Sequence, residues 1–273
     1  MVKRLLVAGY GDVARRAAAA LERRFEVRPL GRRFGTDLDR PETLPREGAH
    51  AVLHCAPPPA AGDLDTRTAN LLAALEKGRI LPARIVYVST SGVYGDCGGE
   101  RVDESRPPAP RTARARRRLD AERRLALWCS ERAVALVVLR APGIYAADRL
   151  PLARLRTGAP LLRAEDDVYT NHIHAGDLAC ALVRGLEPAA PAGIYNAADD
   201  SEIRMGDWLD LVADHAGLPR LPRLARAQMP EASDFMMESR RLDNRRLKRE
   251  LGVRLSYPTV QEGLRHAQAL GVH

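Results

Sequence analysis

The stretch RLLVAGYGDVARRAAAALERR, Arg4 to Arg24, decides the fold. Leu5 to Ala8 form a short apolar run that reads as a buried strand. Gly9 and Gly11 follow as a turn, and Asp12 to Arg24 read as an Ala-rich helix. Gly9, Gly11 and Ala14 thus make G-x-G-x-x-A between a strand and a helix. The first glycine permits a tight turn, the second lets a pyrophosphate approach the backbone, and the small third residue lets the helix pack closely. The helix N-terminus favours the anion. Gly9, Gly11, Asp12 and Val13 are therefore candidates for binding a dinucleotide.

The same alternation continues outward from this unit. FEVRPLGRR reads as a second strand, and AHAVLHCAPPP as a third that the prolines stop. Thr66 to Lys77 read as a helix with Ala69, Leu72 and Ala73 on one face. ARIVYVSTSGVYG is a fourth strand with a polar end, an arginine-rich helix follows, and AVALVVLRAPGIY is a fifth strand. Strands alternating with helices imply a parallel sheet with right-handed crossovers. Such sheets bind ligands beyond the carboxyl ends of their strands, and GYGD, LGRR, HCAPP, STSG and RAPGIY all fall there. After Tyr145 the pattern loosens. Ile194 to Ala197 read as a further strand, Arg204 to Ala216 and Asn244 to Leu251 as helices, and Pro219, Pro222 and Pro230 as irregular connections. The expected fold is α/β, a Rossmann-like doubly wound parallel sheet with a small C-terminal substrate lobe. Residues 1–145 would form the dinucleotide-binding domain, with 172–200 returning to it, and 146–171 and 201–273 would supply mainly the lobe and C-terminal helices.

Composition narrows the function classes. The chain has 273 residues and a net charge of +8. Only Lys3, Lys77 and Lys248 are lysines; the other basic residues are arginines, spread along the whole chain. The window Arg111 to Arg124 holds seven arginines against two acids, so it carries +5 of the +8. No aromatic stacking residues or nucleic-acid motif accompany that charge, which argues against nucleic-acid binding. Cys55, Cys97, Cys129 and Cys180 are widely spaced and form no C-x-x-C pair, as expected of reduced thiols in a cytoplasmic protein without a zinc site. No run approaches the ~18 apolar residues of a membrane span.

About 20 residues beyond the glycines, an acid would bind the ribose hydroxyls of NAD. Gly31, Arg32 and Arg33 stand there instead. An arginine at that place pairs with the 2′-phosphate of NADP, so NADP is the expected cofactor and NAD the alternative.

Taken together, VAGYGDVA, TDLDRPETL, AVLHCAPP, IVYVSTSGVYG, VLRAPGIY, NHIHAGDLA, GIYNAADD and RRLDNRRLKRELG resemble the extended short-chain dehydrogenase/reductase superfamily, in its NAD-dependent epimerase/dehydratase branch. The resemblance covers nearly the whole chain in order. It implies that Asp37 and Leu38 meet the adenine edge, that Cys55 and Ala56 line the ribose, and that Pro142 and Ile144 line the nicotinamide end. It places the catalytic hydroxyl at Thr90, with Ser91 beside it, and makes His174 and Asp177 structural residues at a helix start. A homodimer is common in the resembled family.

One departure is decisive for mechanism. The family carries Tyr-x-x-x-Lys on the helix after the fourth strand, followed by a Glu four residues after the Lys. Glu122 matches the Glu, which puts Arg118 at the Lys position and Arg114 at the Tyr position. No tyrosine lies between Tyr94 and Tyr145. At about 100° per residue, Arg114, Arg118, Ala121, Leu125 and Trp128 share a face leading into the cleft, while Arg116, Asp120 and Arg123 point to solvent. Arginine stays protonated and cannot act as general acid or base. Arg118 could hold ribose hydroxyls or a phosphate; Arg114 could bind an anionic group or an oxyanion. Tyr94 and Tyr145 are the remaining candidates for proton donor. Two readings follow: an NAD(P)-dependent oxidoreductase or epimerase-like enzyme of the atypical kind, acting on a small anionic or nucleotide-sugar substrate, and a non-catalytic NAD(P)-binding sensor or regulatory protein.

Overall fold

The computed structural model describes residues 3–78, 80–229 and 237–269; Pro230, one of the expected connection markers, lies outside them. Six strands build the central sheet: β1 (Arg4–Ala8), β2 (Glu26–Leu30), β3 (Ala51–His54), β4 (Arg84–Thr90), β5 (Ala135–Ala141) and β6 (Gly193–Asn196). They lie in the order β2-β1-β3-β4-β5-β6, every neighbouring pair parallel. The chain reverses direction across the sheet at β1, so the crevice between the ends of β1 and β3 is the switch point where such sheets bind ligands.

The helices are α1 (Asp12–Glu22), α2 (Thr66–Glu76), α3 (Ala113–Glu131), α4 (Leu152–Arg156), α5 (Ala175–Gly185), α6 (Met205–His215), α7 (Arg245–Arg249) and α8 (Val260–Ala269). Strand residues alternate between the two faces of the sheet. Leu5 and Val7 pack on one face with Ala14, Ala17 and Leu21 of α1 and Leu178 and Leu182 of α5. Leu6 and Ala8 pack on the other with Leu71 and Leu75 of α2 and Ala121, Leu125 and Trp128 of α3. Both faces being covered explains why β3 and β4 are apolar almost without a break. The helix starts are chemically specified. The Asp65 carboxylate accepts the Thr68 N–H at 3.0 Å to begin α2, and the Thr112 hydroxyl accepts the Ala115 N–H at 3.1 Å to begin α3.

A separate apolar cluster lies outside the sheet. Tyr145, Leu155, Leu161, Trp208, Val212, Val260 and Leu264 pack together from segments far apart in the chain. Among the described residues no helix is long and apolar enough to cross a membrane.

Candidate active site

The glycine turn is shaped as its two glycines require. Gly9 has φ +83°, and a Cβ there would stand 2.4 Å from the Ala56 nitrogen, so a side chain is excluded by both conformation and space. Its N–H donates to the Leu30 carbonyl at 3.1 Å, and the Cys55 N–H donates to the Ala8 carbonyl at 2.8 Å, which fixes the turn between β2 and β3. Gly11 precedes α1, and a Cβ there would meet nothing closer than the Gly9 oxygen at 4.0 Å. No side chain caps the start of α1, and the space beside Gly11 is open, which fits the approach of the pyrophosphate of a dinucleotide.

Asp12 sits in the first turn of α1. Its carboxylate accepts from Arg16 Nε at 3.1 Å and from Arg149 Nη1 at 3.0 Å. Burial opposes its charge, but the bonds from Arg16 and Arg149 prevail and hold it below the usual carboxylate range. Val13 is half-buried against the core. Arg32 and Arg33 are exposed in the turn just past β2, free in space to meet a phosphate. Asp37 donates its N–H to the Thr43 hydroxyl at 2.8 Å and accepts the Asp39 N–H at 3.0 Å, while the carbonyl of buried Leu38 accepts from Asn70 at 2.7 Å. Cys55 and Ala56 lie at the end of β3. Burial pushes the Cys55 thiol up to about 12, so it is a neutral, unreactive lining group.

Beyond the strand ends lies a cavity of about 580 Å³. Thr90, Ser91 and Gly92 line it from the end of β4, Pro142, Gly143, Ile144 and Tyr145 from beyond β5, and Arg114 and Ala115 from the start of α3. Its other wall includes Arg149, Arg154, Tyr169, Asn171, His172, Trp208, Glu238 and Arg240. The Thr90 hydroxyl accepts the Gly92 N–H at 3.2 Å, which turns the chain at the cavity wall. Ser91 is buried beside it. Thr90, Ser91, Arg114, Pro142 and Ile144 thus line one cavity.

Tyr94 and Arg118 are placed differently. Tyr94 is buried, its hydroxyl donates to Asn196 Oδ1 at 2.8 Å, and it is not part of the cavity wall. Arg118 is buried under the strand ends. Its Nη1 donates to the carbonyls of Ala56 at 3.1 Å and Val88 at 2.9 Å, and to the Tyr87 hydroxyl at 3.1 Å. Tyr145 reaches the cavity, but its hydroxyl donates to the Thr259 carbonyl at 3.2 Å, and burial pushes its pKa up. The face expected for Asp120 is also modified: it is half-buried and accepts the Asp65 N–H at 2.8 Å, whereas Arg116 and Arg123 are exposed.

Several cavity residues carry no local signal in the sequence. Arg149 and Arg154 come from the irregular piece after RAPGIY, and Arg240 from a segment about 90 residues further on. Only the run of arginines just past a strand end hints at the first two. His172 pairs its strand with Gly143 and stacks on Trp208 with centroids 4.4 Å apart. Burial pushes its imidazole down to about 3, so it is neutral near pH 7. His174 instead caps α5 by accepting the Gly176 N–H at 3.1 Å, and Asp177 accepts the Ser256 and Tyr257 N–H groups at 2.8 and 3.0 Å.

The family model for the NAD dependent epimerase/dehydratase family matches residues 36–198. The chain belongs to the NAD-dependent epimerase/dehydratase family. The match begins after the glycine turn, so the turn stands on its own geometry. Solved structures agree on the fold of this family member. A conserved protein of unknown function from Silicibacter pomeroyi DSS is 28% identical, with TM-score 0.78 over 99% of this chain and 100% of that one. RMD from Pseudomonas aeruginosa, complexed with NADPH, is 22% identical, with TM-score 0.75 over 98% and 97%. The UDP-glucose 4-epimerase of Thermus thermophilus, complexed with NAD, is 24% identical, with TM-score 0.73 over 96% of both chains. No curated protein matches the chain.

Proposed function

We propose that this family member is an NADP-dependent oxidoreductase or epimerase-like enzyme that works on a small anionic or nucleotide-sugar substrate without a catalytic tyrosine. The observation that carries this reading is the single cavity wall on which Thr90, Ser91, Pro142 and Ile144 meet Arg114. A nicotinamide dinucleotide, when bound, supplies the hydride donor or acceptor. Gly9, Gly11, Asp12 and Val13 would hold its pyrophosphate, Asp37, Leu38, Cys55 and Ala56 its adenosine half, and Arg32 and Arg33 a 2′-phosphate. Thr90 and Ser91 orient the substrate oxygen by hydrogen bonds, and Arg114 binds an anionic group of the substrate. Arg118 fixes the carbonyl ends of β3 and β4 beside the cofactor. The relatives complexed with NADPH or NAD support a nicotinamide cofactor, and the UDP-glucose 4-epimerase supports a sugar-sized substrate.

The competing reading, a non-catalytic NAD(P)-binding sensor, draws on one specific observation. Both tyrosines that could replace the lost proton donor have their hydroxyls bonded elsewhere, Tyr94 to Asn196 and Tyr145 to Thr259. Calorimetric titration of the cofactor-free protein with NADPH and NADH tests the shared part. Tight NADPH binding with weaker NADH binding supports the cofactor assignment; the reverse order overturns NADP; binding of neither overturns both readings. Hydride transfer to any carbonyl substrate then separates enzyme from sensor.

A further inference from the structure

Four arginines line the cavity, and they differ in how their charge is met. Arg149 donates to the Asp12 carboxylate at 3.0 Å. Arg240 donates to Glu238 at 2.8 Å and to the Gly95 carbonyl at 2.7 Å. Arg114 and Arg154 have no such partner: among the described residues no carboxylate touches either. Surface arginines such as Arg40, Arg106, Arg220 and Arg245, by contrast, each pair with a carboxylate. Arg154 also has a buried Nε with no acceptor. Burial, and for Arg114 also repulsion by Arg118 and Arg117, weakens the hold of both groups on their protons.

A guanidinium at a cavity wall without a counter-charge is open to one that a ligand supplies, and half-buried Arg154, whose Nε finds no acceptor, carries a desolvation cost that such a ligand offsets. Its planar fork matches a carboxylate or a phosphoryl group by two parallel bonds. Glu238 is the one acid on the wall among the described residues, and Arg240 neutralises it. The wall therefore presents two uncompensated positive charges. Arg114 comes from the start of α3 and Arg154 from α4.

Resting on the proposed substrate site, we infer that the substrate carries at least two negatively charged groups, one held by Arg114 and one by Arg154. Each charge is carried by a carboxylate or a phosphoryl group. A neutral sugar or a simple alcohol would leave both arginines uncompensated.

The test uses full-length protein and calorimetry with three probes: succinate, fructose 1,6-bisphosphate and lactate, each at low salt. The expected result is that succinate or fructose 1,6-bisphosphate binds at least ten-fold tighter than lactate. The one that does so tells carboxylate from phosphoryl. Arg114→Gln and Arg154→Gln should each weaken that probe at least ten-fold, while Arg123→Gln, on the exposed face of α3, should leave it unchanged. Equal binding of all three probes, binding of none, or loss in Arg123→Gln as large as in the cavity variants would overturn the inference. NADPH titrations of the same variants keep the two readings apart. Wild-type protein that binds succinate or fructose 1,6-bisphosphate but no dinucleotide defeats the cofactor assignment alone, and protein that binds NADPH but neither of those probes defeats this inference alone.

Discussion

Glu122 Oε2 accepts from Arg140 Nη2 at 2.7 Å, and the two side chains are 6% and 3% exposed. The carboxylate also accepts the Ser89 hydroxyl, and the Arg140 guanidinium lies 4.7 Å from the centre of the Tyr94 ring. Tyr94 in turn bonds Asn196 on β6. One buried charged pair thus ties α3 and the strands β4, β5 and β6 together.

Removing one half of such a pair strands the other in a dry interior. Glu122→Ala should destabilise by about 3–5 kcal/mol, while Glu122→Leu combined with Arg140→Met should lose much less. Urea unfolding of the two variants checks this. A loss below about 1 kcal/mol in Glu122→Ala would show that water or another group already compensates Arg140.

The two glycines of the turn should separate folding from binding. Gly9→Ala forces a Cβ to 2.4 Å from Ala56 and strains a φ of +83°. It should cost at least about 2 kcal/mol. Gly11→Ala places its Cβ 4.0 Å from the nearest oxygen. It should cost less than about 1 kcal/mol yet weaken NADPH binding at least ten-fold, because the methyl occupies the approach to the helix start. Unchanged NADPH affinity in Gly11→Ala, measured by calorimetry, would place the dinucleotide elsewhere.

Thr90 combines a structural and a chemical task. Its hydroxyl accepts the Gly92 N–H at 3.2 Å, so Thr90→Ala should lose about 1 kcal/mol as a lost cap. Hydride transfer should fall at least ~100-fold in the same variant, with NADPH affinity unchanged. Thr90→Ser should restore both. Full activity in Thr90→Ala would remove Thr90 from the reaction.

Stability should depend on pH through buried groups. Burial, assisted at His54 by Arg118, pushes the His54 and His172 imidazoles from 6.5 down to about 3. Between those values the unfolded chain binds protons that the folded chain excludes. Stability is therefore full above about 6.5 and falls as the pH drops towards 3, by about 1.4 kcal/mol per pH unit for each histidine. Asp199 acts oppositely: burial raises it from 3.8 to about 7, so the folded chain gains a proton first and offsets one histidine between those values. Urea unfolding at pH 7, 6 and 5 should show a net decline that His54→Gln flattens and Asp199→Asn steepens. A change of the opposite sign in either variant would contradict the assigned burial.

The strands, the glycine turn and the order of the elements were legible because they rest on local rules. Leu5 to Ala8 must be extended and buried, two glycines must turn the chain, and Ala14, Ala17 and Leu21 fall at helical spacing. The six parallel strands follow the sequence order of those signals. Helical periodicity also brought Arg114 and Arg118 to one face of α3. It could not rank their depth. Arg114 is exposed at the cavity wall, whereas Arg118, one turn on, is buried among three acceptors supplied by β3 and β4.

By itself, then, the sequence determined the doubly wound sheet, the glycine turn after β1 and the absence of a tyrosine between Tyr94 and Tyr145, because each depends on residue types and their spacing along the chain. Only the tertiary structure decided which arginines face the cavity, that Tyr94 is spent on Asn196, and that Glu122 is spent on Arg140. Those are contacts between residues 18 to 102 positions apart, and their existence depends on how separate elements pack rather than on any spacing along the chain.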